Sequence, residues 1–185
     1  MIRLVGSAKR SFLFPSDLHT ALHYFNDMGG LFQYLPYITL VTTYTNNRFR
    51  VLYRSTELGV YQIQLYSDIE VHLDAETQTI DVRPLTGKSP VRPRAGLHSL
   101  RGMALYRSTS RFKPEGDCTR VYYHLHLDGH LPTPKALGLV PGHITDHIAK
   151  SIANRRIYEI ADGFIAGALK DFAAGHECAA ASEGI

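Results

Sequence analysis

The stretch Tyr61-Gln62-Ile63-Gln64-Leu65-Tyr66-Ser67-Asp68-Ile69-Glu70-Val71-His72-Leu73 decides the fold. Tyr61, Ile63, Leu65, Ile69, Val71 and Leu73 share one parity, and Gln62, Gln64, Asp68, Glu70 and His72 share the other. A period of two marks a strand with one buried and one wetted face. On its N-terminal side, Phe49, Val51 and Tyr53 alternate with Arg48, Arg50 and Arg54, and Leu58-Gly59 makes the turn between the two strands. Ile38 to Tyr44 is dense in Val, Ile, Thr and Tyr, which suit a pleated surface, and Asn46-Asn47 reads as a tight hairpin turn. On its C-terminal side, strands are expected over Thr77 to Leu85, Leu100 to Phe112 and Thr119 to Leu127. The last sets Val121, Tyr123, Leu125 and Leu127 against Arg120, Tyr122, His124 and His126. Strands in succession with short turns predict an antiparallel meander.

A first strand is expected from Ser7 to Phe14. Pro15-Ser16-Asp17 signals a helix start, with Ser16 or Asp17 as its cap, and Leu18, Leu22 and Phe25 recur at helical spacing. Met28-Gly29-Gly30 should break that helix, and Leu31, Phe32, Tyr34 and Leu35 make a second short apolar turn before Pro36. Thr86 to Leu97 reads as a loop. A long helix is expected from Ile144 to Phe172, with Ala149, Ala153, Ile157, Ile160, Phe164 and Ala168 on one face. Ile144, Ile148 and Ile152 form a flank that stops at Arg155-Arg156, so the first turns should meet something different from the rest. Residues 1–175 are read as one domain and 176–185 as a disordered tail.

This long helix is the only element large enough to cover the apolar sheet face. Its candidate fillers, Ala149, Ala153, Gly163, Gly167 and Ala168, are small. Small residues opposite a large curved sheet leave room for a cavity, or else let helix and sheet approach closely.

The 185 residues carry 20 Lys and Arg against 17 Asp and Glu, a net charge of +3. No dense Lys/Arg run stands out, so a nucleic-acid partner is not expected. Hydrophobic residues make up 44%, which excludes wholesale disorder. Cys118 and Cys178 lack metal-ligand spacing, and no apolar leader or membrane-length run is seen; a reduced cytoplasmic compartment is the expectation. Among the histidines, His124 and His126 share a strand face, and His143 and His147, like His19 and His23, share a helix face. None forms a three-ligand pattern with a carboxylate, so no metal or other cofactor is assigned. No phosphate loop, nucleophile elbow or P-loop occurs, and no catalytic residue is assigned. Lys88, Arg92, Arg94 and Arg101 read first as a solvated loop, and otherwise as a contact for an anionic headgroup, a membrane surface or RNA, without stable membrane insertion.

Three motifs carry a resemblance: Leu31-Phe32-Gln33-Tyr34-Leu35-Pro36-Tyr37, Asn47-Arg48-Phe49-Arg50-Val51, and Gly129-His130-Leu131-Pro132-Thr133-Pro134 before the last helix. With the order strand, two helices, six strands, helix, the chain resembles the START-like, or helix-grip (SRPBCC), superfamily, and within it a cyanobacterial and plastid START-like family. The resemblance implies an α+β helix-grip fold: a curved antiparallel sheet of about seven strands around a long C-terminal helix, with two short helices after the first strand. It also implies an internal apolar pocket for a lipid-like, isoprenoid or polycyclic molecule.

The leading reading is therefore a protein that binds or carries an apolar small molecule. The expected lining is Phe49, Val51, Tyr53, Tyr61, Ile63, Leu65, Tyr106, Tyr123 and Leu125 from the sheet, with Ile157, Ile160 and Phe164 from the helix. The loop after Thr86 and the turn at Met28-Gly29-Gly30 should border the mouth. A cyclase or dehydratase using Tyr53, Tyr61, Tyr106 and Tyr123 is the first rival, and a structural protein with a filled core the second.

Overall fold

A computed structural model describes residues 1–45, 47–88, 90–134 and 142–180, the side chains of 175–180 excepted. The strands are β1 (Ile2–Phe14), β2 (Ile38–Thr45), β3 (Arg48–Glu57), β4 (Tyr61–Asp74), β5 (Thr79–Pro84), β6 (Arg94–Ala95), β7 (Ser99–Glu115) and β8 (Cys118–Leu131). Between β1 and β2 lie α1 (Leu18–Asn26), α2 (Met28–Leu31) and a 3-10 turn (Phe32–Tyr34). After β8 comes α3 (Gly142–Ala180), which takes in 176–180 of the expected tail; 181–185 lie outside the described residues.

The sheet order is β1-β8-β7-β5-β4-β3-β2, with β6 added to β7. All pairings are antiparallel except one: β5 is short, and beyond its end Gln62–Tyr66 of β4 pair directly with Ser99–Met103 of β7 in parallel. The expected meander is thus interrupted where the chain between β5 and β7 leaves the sheet and returns. β2 is an outer edge, mostly exposed, with register breaks after Leu40 and Thr43 that bend it away from a flat ladder.

Local chemistry explains the helix boundaries. Asp17 caps α1: its carboxylate accepts from the Thr20 backbone N–H at 3.1 Å and from the Thr20 hydroxyl at 2.7 Å. Met28-Gly29-Gly30, expected only as a break, forms a short helix of its own, because Asp27 accepts from the Gly30 N–H at 3.3 Å and restarts the turn. β1 begins at Ile2 rather than Ser7. Gly6 lies within this longer strand where α3 passes: a Cβ there would lie 3.1 Å from the Ala153 carbonyl oxygen.

α3 buries the face anticipated from its spacing, Ala149, Ala153, Ile157, Ile160, Phe164 and Ala168, together with Ala161 and Phe172. The core grades along this helix. Toward its C-terminal half lies an aromatic cluster, with Phe14–Phe172 ring centroids 4.4 Å apart, Phe14–Phe25 5.0 Å and Phe25–Phe112 5.5 Å. Around its first turns the core is aliphatic and smaller: Ile2, Leu4, Ile63, Leu65, Leu100, Ala104, Leu131, Ala149 and Ala153.

Candidate functional site: an apolar pocket at one end of the long helix

The space between sheet and helix is not evenly hollow. Aromatic rings occupy one half, and small or aliphatic side chains leave the other half open. The open end is a pocket of about 120 Å³ lined by Ile2 and Leu4 of β1, Glu57 and Leu58, Tyr61 and Ile63 of β4, Leu100 of β7, Leu131 of β8, and Thr145, Ile148, Ala149 and Ile152 of α3. Ile148 and Ile152 belong to the flank that the sequence sets apart from the main stripe of α3. Its early turns do meet a different environment: Ile148 is 40% exposed at the pocket rim.

The candidate lining residues divide among three spaces. Tyr61 and Ile63 border the 120 Å³ pocket. Val51, Tyr53, Leu65, Tyr106, Ile157 and Ile160 border a void of about 20 Å³ in the middle of the sheet. Tyr123 and Phe164 border one of about 10 Å³ beside Phe25 and Met28. Phe49 packs its ring against Phe32 at 5.1 Å, and Leu125 is fully buried in the core; neither borders any of these spaces. A void of 10 to 20 Å³ is about the room needed for one water. Met28 therefore sits at the filled end, away from the open pocket, and Thr86 lies in an outer groove with Arg83 and Arg107.

Reasoning from parity missed Ile2, Leu4, Leu100 and Leu131 because each lies at or beyond the expected strand ends. Glu57 was missed as a polar residue at a turn. It is 2% exposed, yet it lies on the pocket wall. α3 supplies two guanidiniums to its buried carboxylate: Arg156 Nε donates at 2.7 Å and Arg155 Nη2 at 3.2 Å. Arg156 also donates to Glu159 at 2.6 Å and to the Tyr37 hydroxyl at 2.8 Å, while that hydroxyl donates to Glu159 at 2.9 Å. The hydrogen bonds to Glu57 hold Arg156 more firmly cationic than usual, and the bond to Glu159 raises the Tyr37 hydroxyl. The halt of the apolar flank at Arg155-Arg156 was the sequence signal for this cluster.

The tyrosines have a different setting. Burial pushes Tyr53 up to about 12, and burial also raises Tyr106 and Tyr123, whose hydroxyls lie 3.4 Å apart. Neutral phenols of this kind donate hydrogen bonds and do not act as bases near pH 7. Among the described residues, no group of three or more His, Cys, Asp or Glu is placed to hold a metal. No helix among them is long and apolar enough to cross a membrane.

With this geometry in place, solved structures supply the comparison. The chain is similar to the protein TTHA0849 from Thermus thermophilus, at 19% identity and a TM-score of 0.52 over 91% of this chain and 98% of that one. It is similar to the Zhui aromatase/cyclase from Streptomyces sp. R1128, at 12% identity and a TM-score of 0.53 over 90% and 93%. A conserved protein from Geobacillus kaustophilus gives 12% identity and a TM-score of 0.52 over 92% and 96%. No family model and no curated protein matches the chain. The fold is the START-like helix grip: a curved sheet of largely antiparallel strands holding a long C-terminal helix, with short helices after the first strand.

Proposed function

We propose that this protein binds the hydrocarbon part of an amphipathic small molecule, such as a lipid or isoprenoid, without chemically changing it. The observation that carries this reading is the 120 Å³ apolar pocket between the first turns of α3 and the sheet. An apolar cavity of about 150 Å³ takes up benzene, so a chain end or a single ring is the fitting occupant. Roughly five buried methylenes at ~0.8 kcal/mol each contribute about 4 kcal/mol before ordering costs, which corresponds to about millimolar affinity. Tighter binding must draw on the rest of the ligand at the rim, where Leu58 is 62% exposed and the Glu57–Arg155–Arg156 cluster begins.

The likeness to an aromatase/cyclase supports a second reading, catalysis on a ring-forming substrate. Of its four tyrosines Tyr61 borders the open pocket, but Tyr53, Tyr106 and Tyr123 border voids of 20 Å³ or less, so a polycyclic substrate could reach those three only after the core had opened. The carrier reading needs no such opening.

Filling the pocket tests the proposal. Ala149→Leu places a branched side chain in the space while keeping helix propensity. Displacement of a bound anilinonaphthalene dye by dodecanol should weaken at least about tenfold in the variant, with the melting temperature held or raised. Unchanged displacement would place the binding elsewhere and overturn the reading.

A further inference from the structure

The sheet face turned away from α3 carries alternate residues of β1, β8 and β7. Their registers align Lys9 with His124 and Thr109 in one row, and Ser11 with Tyr122 and Arg111 in the next. Arg107 and Lys113 extend the rows along β7 on either side. The carboxylates at the margins are already engaged: Asp81 by Arg83, Glu115 by Arg120 and Asp128 by Arg3. Lys9, Arg107, Arg111 and Lys113 form no ion pair among the described residues. All four are exposed.

Three of the four lie along β7 and Lys9 stands two strands away across β8, which gives one face of a chain of net charge +3 a band of positive charge without carboxylate partners. Such a band attracts an anionic partner. Side chains on one face of a strand repeat every ~6.8 Å, so Arg111 and Lys113 stand one repeat apart and Arg107 two repeats from Arg111, with Thr109 between them. Tyr122, 46% exposed, stands in the middle of the cations, and the Lys113 ammonium lies 5.7 Å from its ring centroid. An exposed ring among cations on a sheet is the arrangement on which unpaired bases stack.

We propose that the outer face of β1, β8 and β7 binds single-stranded nucleic acid, with Lys9, Arg107, Arg111 and Lys113 contacting phosphates and Tyr122 stacking one base. The expectation of no such partner rested on the absence of a Lys/Arg cluster in the sequence. The cations are two residues or more apart along the strands that carry them, and only the strand registers bring them together. The site is independent of the pocket, which opens on the other side of the sheet.

Fluorescence anisotropy on the full chain tests the proposal, using labelled single-stranded RNA and DNA of about 12 nucleotides, the matching duplex, and phosphatidylcholine vesicles containing roughly one third phosphatidylserine. Single strands should bind at about 50 mM salt, with log K falling against log salt at a slope of about −2 to −3. Arg111→Gln should remove about 0.7 from that slope. Tyr122→Ala should weaken single-strand binding at least about fivefold without changing the slope, and Tyr122→Phe should restore it. Both positions are exposed, and unchanged melting curves confirm an intact fold; Arg107→Gln provides a second charge variant. Three results overturn the proposal: no binding at low salt, equal binding of duplex and single strand with no effect of Tyr122→Ala, or vesicle binding that needs Arg111 while oligonucleotides are ignored.

Discussion

Glycines 163 and 167 show how a single residue records a contact. Glycine within a helix normally costs about 1 kcal/mol relative to alanine. Here an added Cβ at Gly163 would overlap the Pro36 ring, and one at Gly167 would lie 2.7 Å from the Tyr34 Cβ. The small residues of this part of α3 therefore serve close approach to the segment before β2, and leave no space there. Gly163→Ala should lower the melting temperature, reversing the usual sign; a rise in a thermal scan would show that Pro36 yields freely. Glu57 is the second case. Glu57→Ala strips the buried carboxylate from Arg156 and leaves that part-buried guanidinium with Glu159 as its one ion-pair partner and the Tyr37 hydroxyl. Loss of one partner from a buried pair costs about 3 kcal/mol or more, readable as a lower urea midpoint at unchanged slope.

At the scale of elements, the strand interiors were legible and their ends were not. Alternation in Tyr61–Leu73 and Thr119–Leu127 signals most of the burial pattern, because side-chain parity is a local property, but Asp68, on the parity read as wetted, is buried at 6% and paired with Arg50. The ends depend on partners distant in sequence. Ile2 belongs to a strand because Leu131 lies opposite it, and neither position announces this alone. The pocket is built largely from those ends, which is why parity found Tyr61 and Ile63 in its wall but missed Leu4 and Leu131. The cap of α1 was legible because capping needs only neighbours, whereas Asp27, which caps α2, was hidden by the two glycines that follow it. Asp17→Ala should therefore cost about 1 kcal/mol, confined to α1, with hydrogen exchange rising in Leu18–Asn26 and unchanged in β8.

For the whole molecule, stability should follow its carboxylates. Burial pulls Asp68 upward, but the Arg50 guanidinium and the Tyr44 hydroxyl outweigh it and hold it below its ordinary 3.8. Asp162 is lowered by its hydrogen bond to Arg10, and Asp128 by its bond to Arg3. A depressed carboxylate contributes stability that is present above its unfolded value and lost as pH falls through the folded one. Acid unfolding should thus set in below about pH 4, and Asp68→Asn should narrow its gap to the parent protein as pH falls. His124 acts earlier: burial, then Lys9 and His126, lower it from 6.5, so its contribution is present above 6.5 and fades beneath that value. His124→Gln should flatten the thermal stability profile between about pH 6.5 and 5.

β1 is made before its neighbours and paired last. Its ladder runs from Ile2↔Leu131 to Phe14↔Thr119; α1 packs on its far end through Phe25, while α3, along its length, follows β8 in the chain. A nascent polypeptide leaving the ribosome therefore holds this ribbon without a mate until β8 has been translated, and such long loop closures are slow. Vectorial, start-to-finish assembly is closed to this topology. A ribosome-stalled chain ending before β8 should leave β1 open to protease, and release of the finished polypeptide should protect it.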